Sequence, residues 1–511
     1  MMGRLVRNSI SNVTVLIVKL GITLVMTPVI VKALGNYDYG IWSIVISVIG
    51  YMGLLDMGFP SAIVRYVARF HALQERRSLD RTYSSTLFFM GIVGLVIFIF
   101  FLVWALFAPE MLAQETSGDT RYGLFLFIIG LQMFVTFLGY VFQSFHEGLQ
   151  RYDLNNLITT ITSVIGCIVV IYLLKKGGGL LTLALGNGIG FATKFLVYWI
   201  LLRQHQFGRY RFALRDVMAG TVKELFSFGV QSFLIGLSSQ ISRGTAPLII
   251  GAILGPISVT FFVIPANLIQ HANNLIASIT MAFMPYFSDL NAHGDLKKTQ
   301  EVYLKGSKYV VGVIFPIFVS FYFLGLPFLA RWMGREYAEN GRWVLYILAL
   351  GYILPHFNPF SNRLLTGIGR QSMLARIRLI GALGSVGLSF ILIKPFGNEG
   401  VAVAALVPAL ITEPIILYVT CKEIQISLFQ YVGGVLVKIG KPGLIAGAGL
   451  YLFAQSINID NYPEICVIGL IYGVLYIVLF WVIALDKEER DFIMCAIGVS
   501  KVSSDERFTK T

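Results

Sequence analysis

Charge is what this chain has least of. Asp, Glu, Lys and Arg make up 13% of its 511 residues, while 56% are hydrophobic; an average soluble domain carries about 25% charged residues. Too few polar groups are available to cover a soluble body of this size, so the soluble classes are excluded. Cysteine is scarce too. Cys167, Cys421, Cys466 and Cys495 lie far apart, no metal or redox spacing connects them, and free thiols are expected. Nucleotide and hydrolytic signatures are missing: there is no G-x-x-x-x-G-K-[ST], no H-E-x-x-H and no G-x-S-x-G. A phosphate-cradling loop, paired zinc histidines and a nucleophile elbow are therefore not expected. GNGIG at 186–190 lies inside an apolar run and reads as close helix packing. No gap between apolar runs exceeds about 20 residues, too short for a folded domain. A membrane glycosyltransferase or polymerase would need an outer loop bearing catalytic acids or bases, and none is present. The chain reads as one that moves a substrate and is not an enzyme, with no cofactor, no metal site and no nucleic-acid partner.

What is present is a series of apolar runs of roughly 20 residues, the length that crosses about 30 Å of hydrocarbon. The 51 glycines suit helices that pack closely in lipid. The run from Val13 to Leu34 follows Arg4 and Arg7 but is too long for a signal peptide and lacks a small-residue cleavage site. It is expected to stay as the first span. About fourteen spans are expected, near 12–34, 40–62, 84–107, 122–145, 157–174, 180–202, 225–250, 257–285, 307–330, 343–362, 373–393, 400–420, 437–456 and 463–485. The net charge of +13 would suggest nucleic acid in a soluble protein. Here, with alternate loops inside, roughly three quarters of the Lys and Arg residues fall on the cytoplasmic side. RYVARFHALQERRSLDR (65–81) and RQHQFGRYRFALRD (203–216) are inside loops; APEMLAQETSGDT (108–120) and INIDNYPE (457–464) are outside. The asymmetry places both termini in the cytoplasm, although Lys175, Lys176 and the loop with Arg331, Arg335 and Arg342 run against it.

Two pairs of segments match internally. TPVIVKALG (27–35) and APLIIGAILG (246–255) each carry a proline, a β-branched run and a glycine exit. ATKFLVY (192–198) and ITEPIILY (411–418) match loosely and set Lys194 against Glu413. Both pairs are separated by about 219 residues, a shared offset that suggests a parallel repeat of the kind transporters use. The resulting organisation is a six-helix half at 1–222, a second at 223–422, two additional spans at 423–485 and a cytoplasmic tail at 486–511.

A charge at mid-bilayer costs about 2.5–3.5 kcal/mol on insertion scales, so such residues mark partners or water-filled cavities. Arg243 sits deep in the seventh span, in SSQISRGTAP, where snorkelling is hard; it reads as a cavity residue or as one half of an ion pair. Lys19 either lines the cavity or snorkels to the cytoplasmic interface. Asp56 and Arg65 are candidates for head-group contact, with a mutual ion pair as the plain alternative for Asp56 and a cytoplasmic anchor for Arg65. Lys194 and Glu413 are candidates for cavity or coupling roles, or a structural pair. His271 with Asn273 and Asn274 forms a polar turn that lines a cavity or bonds between helices. Arg363 reads as an anchor. Prolines at 28, 247, 265, 316, 355, 408 and 414 each release a backbone carbonyl and bend a helix.

The stretch GNYDYGIWSIVISVIGYMGLLDMGFPSAIVRYVAR (35–69) resembles the early region of polysaccharide flippases of the multidrug/oligosaccharidyl-lipid/polysaccharide (MOP) exporter superfamily, through Tyr39, Gly40, Trp42, Leu55, Asp56, Gly58, Arg65 and Tyr66. GLQRYDLNNLI (148–158) is also similar, and the resemblance runs to about residue 420. It implies an all-α polytopic fold with about 14 transmembrane helices: two six-helix bundles around a central cavity, plus two C-terminal helices. It implies transport, by alternating access across the bacterial inner membrane, of an undecaprenyl-diphosphate-linked oligosaccharide such as an O-antigen repeat unit, with membrane lipid and polysaccharide polymerase or ligase machinery as further partners. Cationic residues of the first, second, seventh and eighth helices would hold the diphosphate, which assigns Arg243, Lys19 and Arg65. A cation-coupled multidrug exporter of the same fold and a lipid II-type flippase are the alternatives. The chemistry agrees with the first, because a guanidinium meets phosphate oxygens in bidentate geometry.

Overall fold

In hydrocarbon a backbone can satisfy its hydrogen bonds only within itself, so each apolar run folds as a helix. The structure is a computed structural model. It describes residues 2–112, 121–203, 210, 212–281, 283–456 and 461–496, with side chains described at all of these but 2–19, 108–112, 227–232, 235, 275–279, 453–456, 492, 493, 495 and 496. Among the described residues there is no strand. The helices are α1 (Met2–Gly53), α2 (Phe59–Ala72), α3 (Arg76–Leu112), α4 (Arg121–Gly148), α5 (Tyr152–Lys175), α6 (Leu180–Leu202), α7 (Ala219–Leu254) and α8 (Pro256–Met281). They continue with α9 (Phe283–Ala292), α10 (Leu296–Phe323), α11 (Gly325–Trp332), α12 (Arg335–Ile353), α13 (Ser361–Gly367) and α14 (Gln371–Glu423). The C-terminal set is α15 (Leu428–Tyr431), α16 (Lys438–Ser456), α17 (Tyr462–Leu479) and α18 (Lys487–Ala496).

Among the described residues nine helices are long and apolar enough to cross a membrane. Two of them, Leu20–Ala72 and Gln371–Glu423, have 53 residues each, about 80 Å of helix at 1.5 Å per residue, far more than one bilayer needs. A glycine breaks each one. Gly35 has φ 79° and Gly397 has φ 57°, a region closed to most side chains, so each long helix supplies two spans. A pair bent by 45°, Arg335–Phe357 with Ser361–Gly367, supplies another. With α7 and α8, of 36 and 26 residues, the total reaches the expected fourteen. The chain is an all-α polytopic membrane protein, with two six-helix bundles followed by two C-terminal helices. The two repeat copies end alike: Gly35 (φ 79°, ψ 171°) and Gly255 (φ 85°, ψ 170°) share one backbone conformation.

Two spans differ from expectation. The second does not run unbroken from 40 to 62. It stops at a 3-10 turn, Leu54–Asp56, and restarts as α2 after Met57 and Gly58, both at positive φ. The tenth does not run to 362. Helix α12 ends at Ile353, and Pro355, which has no N–H to continue the ladder, sits in the 3-10 turn Leu354–Phe357.

Two compact units emerge: Met1–Asn267 with Ala375–Ala405, and Leu268–Leu374 with Leu406–Thr511. In the first, α3 packs on α4, and α4 and α5 pack on α6. Fully buried Phe101, Phe125, Phe137, Phe142, Phe145 and Tyr198 fill the core. Small residues let these helices approach: a Cβ on Gly130 would stand 2.7 Å from the Phe101 Cβ, and one on Gly148 2.7 Å from the Val67 Cβ.

In the second unit α10 is the common support. Tyr303 bonds Ser361 at 2.7 Å, and Tyr431 donates to the Phe357 carbonyl at 2.7 Å. Phe480 packs over Gly312 and Phe315 over Gly443, which seats the two C-terminal helices on α10. Lys308 of α10 is buried against the carboxylate of Glu489 in α18 and donates to the Ala484 carbonyl at 3.3 Å. The segment after 485, polar in sequence, thus includes a helix locked into this unit.

Candidate functional site

Helix α7 carries Arg243. Its neighbours in SSQISRGTAP divide between two faces of the helix. One face meets the second part of α1. Gln240 Nε2 donates to the Ser47 carbonyl at 3.4 Å, and the Tyr51 hydroxyl bonds the Thr245 hydroxyl. The Gln240 side chain lies across two glycines: a Cβ on Gly50 would come within 2.3 Å of it and one on Gly244 within 2.1 Å. The other face holds Arg243 itself, exposed, with Ser239 one turn earlier accepting its hydrogen bond. Among the described residues Arg243 has no ion pair with a carboxylate. Pro247 stands four residues after Arg243 and has no N–H, so the Arg243 carbonyl loses its helical partner. The cation therefore sits at a local weakness in its helix.

Asp56 lies at the break between α1 and α2. Its Oδ1 accepts the Gly58 N–H at 2.8 Å, which holds the chain in the turn that starts α2. Among the described residues Asp56 has no ion pair, whether with Arg65 or with another arginine, which were the plain alternatives to a head-group contact. Helix α2 buries Phe59, Ala62, Ile63 and Val67 and exposes Arg65 and Arg69 on its opposite face. The side chain of Lys19 lies outside the described residues.

Lys194 is satisfied within the first unit. Its ammonium donates to Gln143 Oε1 at 3.1 Å and lies 5.6 Å from the Tyr198 ring centroid. Gln143 Nε2 donates to Glu147 Oε1 at 2.9 Å, and buried Asn155 donates to the same oxygen at 3.1 Å. An amide thus bridges an ammonium and a carboxylate. Sequence reading missed Gln143, Glu147 and Asn155. The signal was there: two polar residues four apart in the apolar α4, which share a helix face.

The remaining candidates lie in the second unit. Glu413 is 3% exposed, and its backbone carbonyl accepts from buried Asn358 Nδ2 at 3.2 Å. His271 is half-buried, with Nε2 lacking a hydrogen bond. Its neighbours are engaged: Asn274 Oδ1 accepts from Gln270 at 2.9 Å, and Asn273 Oδ1 accepts from His356 at 2.8 Å. His356 stacks on Phe318 at 5.5 Å; neither His356 nor Asn358 was singled out in the sequence. Arg363 is half-buried, and its residence in α13 places it within the broken tenth span. Among the described residues no group of three or more His, Cys, Asp or Glu is placed to hold a metal ion.

Comparison with known proteins follows the same lines. Residues 5–291 match the family described as polysaccharide biosynthesis protein. A putative O-antigen transporter of Shigella flexneri is 22% identical over 409 residues, covering 78% of this chain and 94% of the relative. Among solved structures, the lipid II flippase MurJ in an inward closed conformation superposes with a TM-score of 0.72 at 15% identity, covering 96% of this chain and all of MurJ. An inward-facing multidrug resistance MATE family transporter of the MOP superfamily gives 0.67 at 17% identity, covering 80% of this chain and 98% of that one. The MurJ match takes in nearly the whole chain and the MATE match less. A series of apolar helices in keeping with about fourteen spans, a glycine-ended repeat and a family match over more than half the length lead to one conclusion: the chain belongs to the polysaccharide biosynthesis protein family and has the fold of the MOP superfamily.

Proposed function

We propose that this protein is a flippase that carries an undecaprenyl-diphosphate-linked oligosaccharide, an O-antigen or similar surface-polysaccharide repeat unit, across the bacterial inner membrane by alternating access. Arg243 supports the reading most directly. An exposed guanidinium within an apolar helix, bonded to a hydroxyl and paired with no carboxylate among the described residues, is expensive in lipid and suited to a dense anion. A diphosphate supplies two sets of oxygens for bidentate bonding. Lys19, Arg65 and Asp56 complete the head-group contacts in this proposal, and His271, Asn274 and Glu413 serve the cavity or ion coupling. The basic loops place both termini in the cytoplasm, and the boundaries at 222, 422 and 485 divide two halves, an added helix pair and a tail. Polymerase or ligase machinery is the expected partner beyond lipid. The likeness to a putative O-antigen transporter favours this substrate over lipid II. A cation-binding multidrug site would be acidic, whereas the exposed charge beside Pro247 in α7, Arg243, is basic.

The test is glycan export in a strain lacking the protein. Arg243→Ala is expected to leave insertion and abundance unchanged and to abolish export. Full restoration of export by Arg243→Ala would remove the assignment.

A further inference from the structure

We propose that Gln240 is a positioning residue for Arg243, holding α7 at one rotation against α1 so that the guanidinium stays on the open face. The inference rests on the role given to Arg243 above. A helix normally fixes its own side chains through its ladder of hydrogen bonds. At Arg243 that ladder is interrupted, because Pro247 cannot donate to the Arg243 carbonyl. The direction of the guanidinium then depends on contacts made sideways. Those contacts are concentrated within one turn of Arg243. Gln240 lies three residues before it and points into a slot floored by Gly50 of α1 and Gly244 of α7. In that slot its amide reaches the Ser47 carbonyl at 3.4 Å. The Tyr51–Thr245 hydroxyl pair closes the slot at its next turn, and Gly236 meets Leu54 beyond it. A methyl group at either glycine would make the Gln240 amide shift out of its contact with Ser47.

The geometry separates two variants. Gly244→Ala evicts Gln240 and should turn or shift α7. Gly244→Ala with Gln240→Ala removes the collision and relieves that shift, but leaves the amide contact absent. A readout independent of transport is the labelling rate of Arg243→Cys by an anionic thiol reagent, with the native cysteines replaced. We expect Gly244→Ala to slow labelling severalfold, and the double variant, which lacks the collision but also the amide contact, to recover only part of it. Gln240→Ala alone should lower substrate transport more at low substrate than at saturation, and Gln240→Glu, of the same length but with no N–H for the Ser47 carbonyl, should not restore it. Unchanged labelling in Gly244→Ala at normal protein abundance would overturn the positioning role. If labelling responds as expected while Arg243→Ala still transports, the positioning stands and the diphosphate reading fails; the two outcomes are distinct.

Discussion

Lys308 and Arg243 are both cations in apolar helices, yet the chain treats them in opposite ways. Lys308 is 4% exposed, meets the Glu489 carboxylate and adds a carbonyl acceptor. Arg243 is exposed, bonds the Ser239 hydroxyl, has no carboxylate partner among the described residues and sits where a proline has loosened its helix. Lys194 falls between them, tied to Glu147 through the Gln143 amide. A buried charge that the protein neutralises holds helices together; one it leaves without a counter-ion is available to a ligand. The comparison teaches that a charged residue in a span has to be judged by its partners as well as by its place in the sequence.

The comparison breaks most easily at Lys308. Glu489→Ala should destabilise the second unit by about 3–5 kcal/mol, because it strands a buried ammonium. Lys308→Met with Glu489→Leu should recover most of that, read as thermal unfolding in detergent; an additive loss in the double variant would mean the charges do not interact. Next comes Lys194→Met, expected to cost about 1–3 kcal/mol by leaving Gln143 Oε1 without its ammonium donor, while folded protein still transports. Complete loss of transport at full stability would move Lys194 to the functional side of the contrast. Lys19→Ala is expected to weaken export and Lys19→Arg to keep it; equal export by both and by the parent chain would take Lys19 out of the site.

The smallest effect concerns Asp486. Two hydrogen bonds from the Lys438 ammonium, at 2.8 and 3.0 Å, hold this exposed carboxyl below the usual carboxylate range. A depressed native value stabilises the fold above the unfolded pKa of about 3.9 and stops doing so as pH falls through the native value. Melting curves at pH 7 and pH 3 should therefore differ slightly more for the parent chain than for Asp486→Asn. An equal or larger drop for Asp486→Asn would contradict the pair.

Much of the fold was readable from apolar length and from a few glycines and prolines. Gly40, part of the family pattern, lets the Pro256 backbone come so close that a Cβ would stand 1.9 Å from its carbonyl oxygen. Asp56 and Gly58 belong to the same pattern because they build the turn into α2. Trp42 packs on Phe125, with ring centroids 6.1 Å apart. These are local demands, and local demands show in sequence. The breaks inside the second and tenth spans were passed over although their residues mark them, Asp56 and Gly58 in one and Pro355, Asn358 and Pro359 in the other, because long apolar flanks outweigh a few such residues when spans are read by length. Partnerships were hidden for a different reason. Gln240 with Ser47 and Lys308 with Glu489 join residues 193 and 181 positions apart, and composition says nothing about which helix lies beside which. Arg243 could be singled out as costly, but that it has no carboxylate partner among the described residues emerges only once its neighbours are in place.

The most direct measurement is flipping of a lipid-diphosphate oligosaccharide by purified protein in vesicles, with parent chain, Arg243→Lys, Arg243→Ala and Lys194→Met compared at matched protein content. The account predicts near-normal transport for Lys194→Met, reduced transport for Arg243→Lys, which keeps the charge without the fork, and none for Arg243→Ala. Transport by Arg243→Ala equal to the parent chain would contradict it.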